Sequence, residues 1–230
     1  MVAGQAPGSA GPAPIFTAQA AEGEWYRHFV AAAERVRDQA EPWPLSPVRE
    51  LARVKPAGFA DTFGTDLDRY TDLSQNLLIT GIVRNAFVHT RYRMLENYLK
   101  SGRSVRVLLI DPTSPAMKQA VEHYNVDRSV PGARSRVENT LRILAQLHFA
   151  TGGELSVRLT ANPLAVGIIA TDCGQVDGDA VPVVFAQYYS YRASSVSKFV
   201  LHPGDLWRRH VVDEAEARWA DAQPYEFTAD

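Results

Sequence analysis

The sequence has one cysteine, Cys173, among its 230 residues. A lone thiol cannot form an internal disulfide or a cysteine-based zinc site, and it favours a reducing, cytoplasmic setting. Charge of either sign is also not in excess, because 24 Lys and Arg oppose 26 Asp and Glu, for a formal net charge of −2. Net charge therefore gives no indication of a nucleic-acid partner or of attraction to anionic lipid.

Long apolar runs are missing as well. None approaches the ~20 residues that a transmembrane helix needs, so we expect no membrane partner and a cytoplasmic location. The first 24 residues contain no Lys or Arg, lack the apolar segment of a secretory signal, and are rich in Ala, Gly and Pro. That composition predicts a disordered tail over residues 1–24.

Several catalytic and cofactor-binding motifs are absent from the sequence. It contains no P-loop, no G-x-G-x-x-G, no H-E-x-x-H and no G-x-S-x-G. The common nucleotide-dependent, dinucleotide-dependent, zinc-protease and serine-hydrolase classes are therefore excluded, and we expect no cofactor and no metal.

What is present is ample material for a folded core, since hydrophobic residues make up 46% of the chain. Residues 25–58 have helical apolar spacing and a proline-rich break, which predicts a helical arm. Residues 59–222 alternate strand-like and helix-like segments, and residues 223–230 are predicted to form a C-terminal tail. That order predicts an α/β fold in which helices sandwich a mixed β-sheet.

The individual elements follow from apolar periodicity and turn residues. We predict strands at 76–81, 104–111, 155–160, 165–171, 181–191 and 198–201, and helices at 67–75, 87–100, 116–124, 137–149 and 205–222. Residues 58–66 and 127–136 are predicted loops, and residues 174–179 a hairpin turn.

Three consecutive segments, NLLITG, FVHTRYRMLENYLKSG and SVRVLLIDP, resemble the first half of a phospholipase D-like domain. The later segments fit the same family: a strand reaching Asp172, the strand VVFAQYYSYR, and a final helix LWRRHVVDEAEARW. The resemblance spans roughly residues 60–222. It implies a single half-domain, and because such halves pair across one cleft, a homodimer.

Catalysis in that family depends on the motif H-x-K-x4-D, in which His attacks phosphorus, Lys holds the phosphate and Asp supports the site. With Asp172 as the acid, the His position is Ala165 and the Lys position is Gly167. None of the six histidines begins such a motif. The resemblance therefore implies a catalytically degenerate domain.

Polar and aromatic side chains near strand ends are the candidate ligand-binding residues, because ligands of α/β sheets bind there. Tyrosine rings suit stacking on a base, and arginine suits an anion. The alternative is structural: a solvated Arg, an Asn that caps a helix, and tyrosines that pack on the sheet. The candidates are Arg84, Asn85, Asn162, Tyr189, Tyr191 and Arg192.

Three functions stay open. The favoured one is a non-catalytic binding or sensor module for an anionic, nucleotide-like ligand, in a regulatory role such as degenerate members of the family have in bacteria, with a partner protein for its output. The second is a phosphodiesterase or phosphotransferase that uses Lys198, His202, Arg84 and Asp172. The third is a structural protein that acts through its homodimer.

Overall fold

The computed structural model describes residues 58–59, 63–124, 127–173, 182–191 and 197–228. The predicted tail, almost all of the predicted arm and the predicted turn at 174–179 lie outside these residues. All described residues belong to one unit, Arg53–Asp230.

A mixed β-sheet of eight strands lies at the centre of this unit, in the order β1-β7-β6-β5-β2-β3-β4-β8. Strands β2, β3 and β4 are mutually parallel, and every other pairing is antiparallel. The predicted α/β fold with a mixed sheet is confirmed. The strands are β1 Gly58–Phe59, β2 Asn76–Gly81, β3 Ser104–Ile110, β4 Leu155–Thr160, β5 Val166–Thr171, β6 Val184–Tyr188, β7 Ser197–Leu201 and β8 Gln223–Pro224.

Helices cover both faces of the sheet, which explains why the central strands are apolar throughout rather than alternating. The larger core holds Leu77 and Ile79 of β2 and packs under the first five helices. The smaller core holds Leu78 and packs under the last helix through Ala215. In chain order the helices are α1 Gly64–Leu73, α2 Asn85–Thr90, α3 Tyr92–Lys100, α4 Pro115–Tyr124, α5 Val130–Thr151 and α6 Leu206–Asp221.

The helix predicted over 87–100 is wrong as a single element, because it is divided at Arg91 into α2 and α3. The Thr90 hydroxyl donates to the Ala86 carbonyl at 2.8 Å, a side-chain bond of the kind that bends helices. Arg91 itself forms an ion pair with Asp68 of α1. The residue at the break is thus tied to α1.

The loop predicted over 127–136 is wrong beyond Ser129, because α5 already begins at Val130. The Ser129 side chain accepts the Gly132 N–H at 3.1 Å, and Pro131 occupies the first turn. Arg134 and Arg136 consequently lie on a helix. There Arg136 pairs with Asp127 at 3.4 Å.

The chain end also differs from expectation. Residues 223–230 were expected to be a tail, yet Gln223 and Pro224 pair with β4, and Tyr225 and Phe227 pack on the larger core. The strand predicted over 181–191 is shorter, Val184–Tyr188. Within the described residues, no helix combines the length and apolarity required to cross a membrane.

Candidate functional site

One edge of the sheet collects the candidate ligand-binding side chains. The parallel strands β2, β3 and β4 end there, the antiparallel strand β5 begins there, and β6 ends there. The register places Gly167 of β5 opposite Gln187 of β6, and Gln187 opposite Lys198 of β7. We call the group Gly81, Arg84, Gly167, Gln187 and Tyr189 the Arg84 edge.

The Arg84 side chain is fixed over the end of β2 by three hydrogen bonds. Its Nε donates to the Thr80 carbonyl at 2.7 Å, Nη2 to the Ile168 carbonyl at 3.3 Å, and Nη1 to Gln187 Oε1 at 3.4 Å. Its backbone is left-handed, with a φ of 47°, which costs energy for a residue other than glycine. A guanidinium has five N–H donors, so two are left over by the contacts among the described residues and can serve a ligand.

Two glycines make room for this arrangement. A Cβ on Gly167 would lie 2.5 Å from Arg84 Nη2 and 2.5 Å from the Tyr189 hydroxyl, and a Cβ on Gly81 would lie 2.8 Å from that hydroxyl. Real Cβ contacts are essentially never this short. Any side chain at either glycine would therefore displace Arg84 or Tyr189.

Aromatic rings continue from Arg84 toward the surface. The Tyr189 hydroxyl accepts the Ile82 N–H at 3.4 Å, and its own proton is available to an acceptor. The rings of Tyr189 and Tyr124 are 6.2 Å apart, and those of His123 and Tyr191 are 5.6 Å apart. The Tyr191 side chain is 62% exposed. The edge thus combines a fixed cation with ring faces, which is suited to an anion that carries a flat group.

The other candidate residues lie around the same edge or outside the described residues. Asn85 is half-buried at the start of α2, and its buried Nδ2 has no hydrogen-bond partner among the described residues. Asn162 is exposed in the turn after β4, two strands from β2 and so about 10 Å from it. Arg192 is not among the residues that the structure describes.

Asp172 lies at the opposite edge of the sheet. It follows β5, which runs antiparallel to β2, so it meets the start of β2 rather than its end. Its Oδ1 accepts the N–H groups of Gln75 at 2.8 Å and Asn76 at 3.0 Å, and the residue is 1% exposed. The six residues of β2 separate it from Arg84 by about 20 Å.

The four residues of the alternative enzyme site are therefore not assembled in one place. His202 follows β7 at the same edge as Asp172, with its ring 6.1 Å from that of Tyr70. Lys198 lies at the other end of β7, about 13 Å away along the strand. It shares the edge of Arg84, and its Nζ is 6.0 Å from the centre of the Phe63 ring.

Gly81 and Gln187 of the Arg84 edge were not predicted from the sequence, and neither was the neighbouring ring of Tyr124. One available signal was Gly167 within a buried strand, because an internal strand glycine often indicates the close approach of another group. The family resemblance instead explained Gly167 as the position of a lost lysine.

The fold and site define an α/β unit with a mixed sheet and an arginine-centred edge, and comparison with known proteins adds little beyond that. No family model matches the sequence. No curated protein matches it either.

Among solved structures, 14 chains match. One is TrmBL2, an archaeal chromatin protein with a novel mode of DNA binding; the TM-score is 0.45 at 11% identity, over 90% of this chain and 68% of that chain. Another is Nuc from Salmonella typhimurium, a phospholipase D family member; the TM-score is 0.40 at 11% identity, over 74% of this chain and 96% of that chain.

Proposed function

We propose that this chain is a non-catalytic, phospholipase D-like binding or sensor module, and that the Arg84 edge binds a small anionic, nucleotide-like ligand. The observation that carries the proposal is the Arg84 guanidinium, held by three hydrogen bonds with two N–H groups to spare. A donor group already fixed in place loses little conformational entropy when a ligand binds.

The donors of this edge suit a phosphate or carboxylate oxygen. Charge-assisted hydrogen bonds from a guanidinium are stronger than those between neutral groups. The Tyr189 hydroxyl lies beside Arg84 Nη2 over Gly167 and can donate to the same anion. Tyr124 and Tyr189 present rings next to it, which supports a ligand with a base or another flat group.

The loss of the family's own His and Lys supports binding without turnover. Ala165 and Gly167 occupy the positions at which the family's motif has His and Lys. The positive charge over Gly167 comes instead from Arg84, which can hold an anion but has no activated lone pair with which to attack phosphorus. Such a module would work in regulation, as a homodimer and through a partner protein.

The test is a thermal-shift screen with nucleoside monophosphates, cyclic dinucleotides, phosphosugars and acidic metabolites, followed by calorimetric titration and product analysis of each hit. We expect a ligand that stabilises the protein and is recovered intact. Arg84→Ala should abolish the shift. Arg209→Ala should preserve it, because Arg209 is 87% exposed on α6, on the other face of the sheet.

Two results would contradict the proposal. A ligand that is consumed would show that the chain is an enzyme. A hit that binds Arg84→Ala as tightly as the unchanged protein would move the binding site away from this edge.

A further inference from the structure

A cleft of about 440 Å³ opens at the edge of the sheet opposite to Arg84. It lies where α1 ends, α3 ends and β3 begins. None of the residues of the Arg84 edge lines this cleft, so the two sites can be tested separately. It is lined by Asp72, Met94, Asn97, Tyr98, Ser101 and Arg103.

Two opposite charges face this cleft without pairing with each other. Arg103 Nη1 donates to the backbone carbonyl of Asp72 at 3.0 Å, and among the residues that the structure describes its other four N–H groups have no acceptor. The Asp72 carboxylate makes no hydrogen bond or ion pair with any residue in the described part of the chain. Because Arg103 is held by the same residue that carries the carboxylate, the two charges lie within the span of one small molecule.

Tyr98 and Met94 supply the apolar part of the wall between these charges. The Arg103 guanidinium lies over the Tyr98 ring, 5.0 Å from its centre, and Tyr98 is 3% exposed. Burial raises the pKa of Tyr98 to about 12, and its hydroxyl is bonded to Ser74 at 3.0 Å, so it stays neutral. Met94 adds a half-buried, adaptable apolar side chain.

A buried carboxylate, that of Asp172, lies behind this wall. Asp172 lies close enough to Tyr98 to contribute to the raised pKa of that side chain. Asp172 Oδ2 is buried and has no hydrogen-bond partner in the described part of the chain.

We propose that this cleft binds a small zwitterion of the amino-acid type, with its ammonium group at Asp72, its carboxylate at Arg103 and its apolar part on Met94 and Tyr98. Both charged partners are needed, because each alone is a solvated surface charge that would hold an ion weakly.

The experiment is calorimetric titration of the full chain with L-methionine, L-leucine and L-glutamine, each compared with acetate and with methylammonium. We expect at least one amino acid to bind, and acetate and methylammonium to bind at least about tenfold more weakly. Asp72→Asn and Arg103→Gln should each reduce amino-acid affinity at least about tenfold. Arg84→Ala should leave it unchanged.

Thermal melting of each variant shows whether it remains folded, and neither side chain lies in the core. The proposal is overturned if none of the three amino acids binds. It is also overturned if acetate binds as tightly as the amino acids, which would leave a simple anion site, or if a folded Asp72→Asn or Arg103→Gln variant binds like the unchanged protein.

Discussion

The Arg84 guanidinium and the Tyr189 hydroxyl meet over Gly167, a residue that has no side chain. A Cβ at that position would lie 2.5 Å from Arg84 Nη2 and 2.5 Å from Tyr189 Oη. Arg84 follows β2 and Tyr189 follows β6, so two segments about a hundred residues apart bring their donors to one point. The geometry of the edge therefore depends on a glycine in the strand between them.

Gly167→Ala should damage the edge while leaving the fold in place. The added methyl group cannot coexist with both donors, so Arg84 or Tyr189 must move. We expect the free energy of unfolding, measured by urea denaturation, to fall by at most about 1 kcal/mol, the low end of the cost of overpacking, because the contacting atoms are the far ends of flexible side chains that can shift. Affinity for the ligand found in the screen should fall at least about tenfold.

Gly102→Ala is the matched control for that substitution. Gly102 has a φ of +79° and nothing within 4 Å of its added Cβ, so alanine there strains the backbone and touches nothing. It should cost about 1–2 kcal/mol of stability without changing ligand affinity. If Gly167→Ala also leaves the affinity unchanged, the position of Arg84 does not matter for binding.

Tyr189→Phe separates the ring from its hydroxyl. The ring would still pack beside Tyr124, and the bond lost from the Ile82 N–H is long, at 3.4 Å, so the melting temperature should change little. Without the hydroxyl, affinity measured by calorimetry should fall about 3- to 10-fold, the value of one ordinary hydrogen bond. Tyr188→Phe is the control, because Tyr188 points to the other face of β6 and is 48% exposed. Equal losses in the two variants would exclude a specific role for the Tyr189 hydroxyl.

Local sequence patterns predicted most strands and the mixed sheet, because a short apolar run such as Asn76–Gly81 is typical of a buried strand. They did not predict the start of α5, because the arginines of residues 127–136 indicated a solvated loop. The helix-start signal there is Ser129 followed by Pro131. The candidate site was only partly predictable. Arg84 follows a strand and was found, whereas its neighbour Gln187 depends on the register of strands that are distant in sequence.

The direction of β5 also explains the position of Asp172. An apolar run that ends on an acid indicates a strand, but it does not indicate which edge of the sheet the acid will reach. Pairing Leu77 with Thr171 sends Asp172 to the start of β2, where it binds backbone N–H groups. Its observed contacts are structural, and periodicity alone could not distinguish that role from a catalytic one.

Substitutions at Asp172 should therefore change stability rather than ligand binding at the Arg84 edge. Asp172→Ala leaves the N–H groups of Gln75 and Asn76 without their acceptor, at a cost of about 1–3 kcal/mol. Asp172→Asn should cost less, since asparagine keeps an acceptor oxygen and tolerates the left-handed φ of 48°. Urea denaturation measures both. If the two variants are equally unstable, the negative charge itself is required.

Cys173 should be unreactive in the folded protein. Burial is the main cause that raises the pKa of its thiol from 9.0 to about 12, so almost no thiolate forms near neutral pH. We expect a disulfide reagent at pH 8 to leave the native protein unlabelled and to modify one thiol per chain after unfolding in guanidinium chloride. Rapid labelling under native conditions would contradict the buried position.

The same shift predicts how stability depends on alkaline pH. The unfolded thiol ionises near pH 9 while the folded thiol stays protonated, so the contribution of Cys173 is complete below pH 9 and is lost as the pH rises toward 12. Tyr98, whose pKa burial raises from 10.0 to about 12, adds a loss in an overlapping range. Cys173→Ala should reduce the fall in unfolding free energy between pH 9 and 10, before tyrosine ionises. An unchanged slope in that interval would mean that the thiol titrates alike in the folded and unfolded chains.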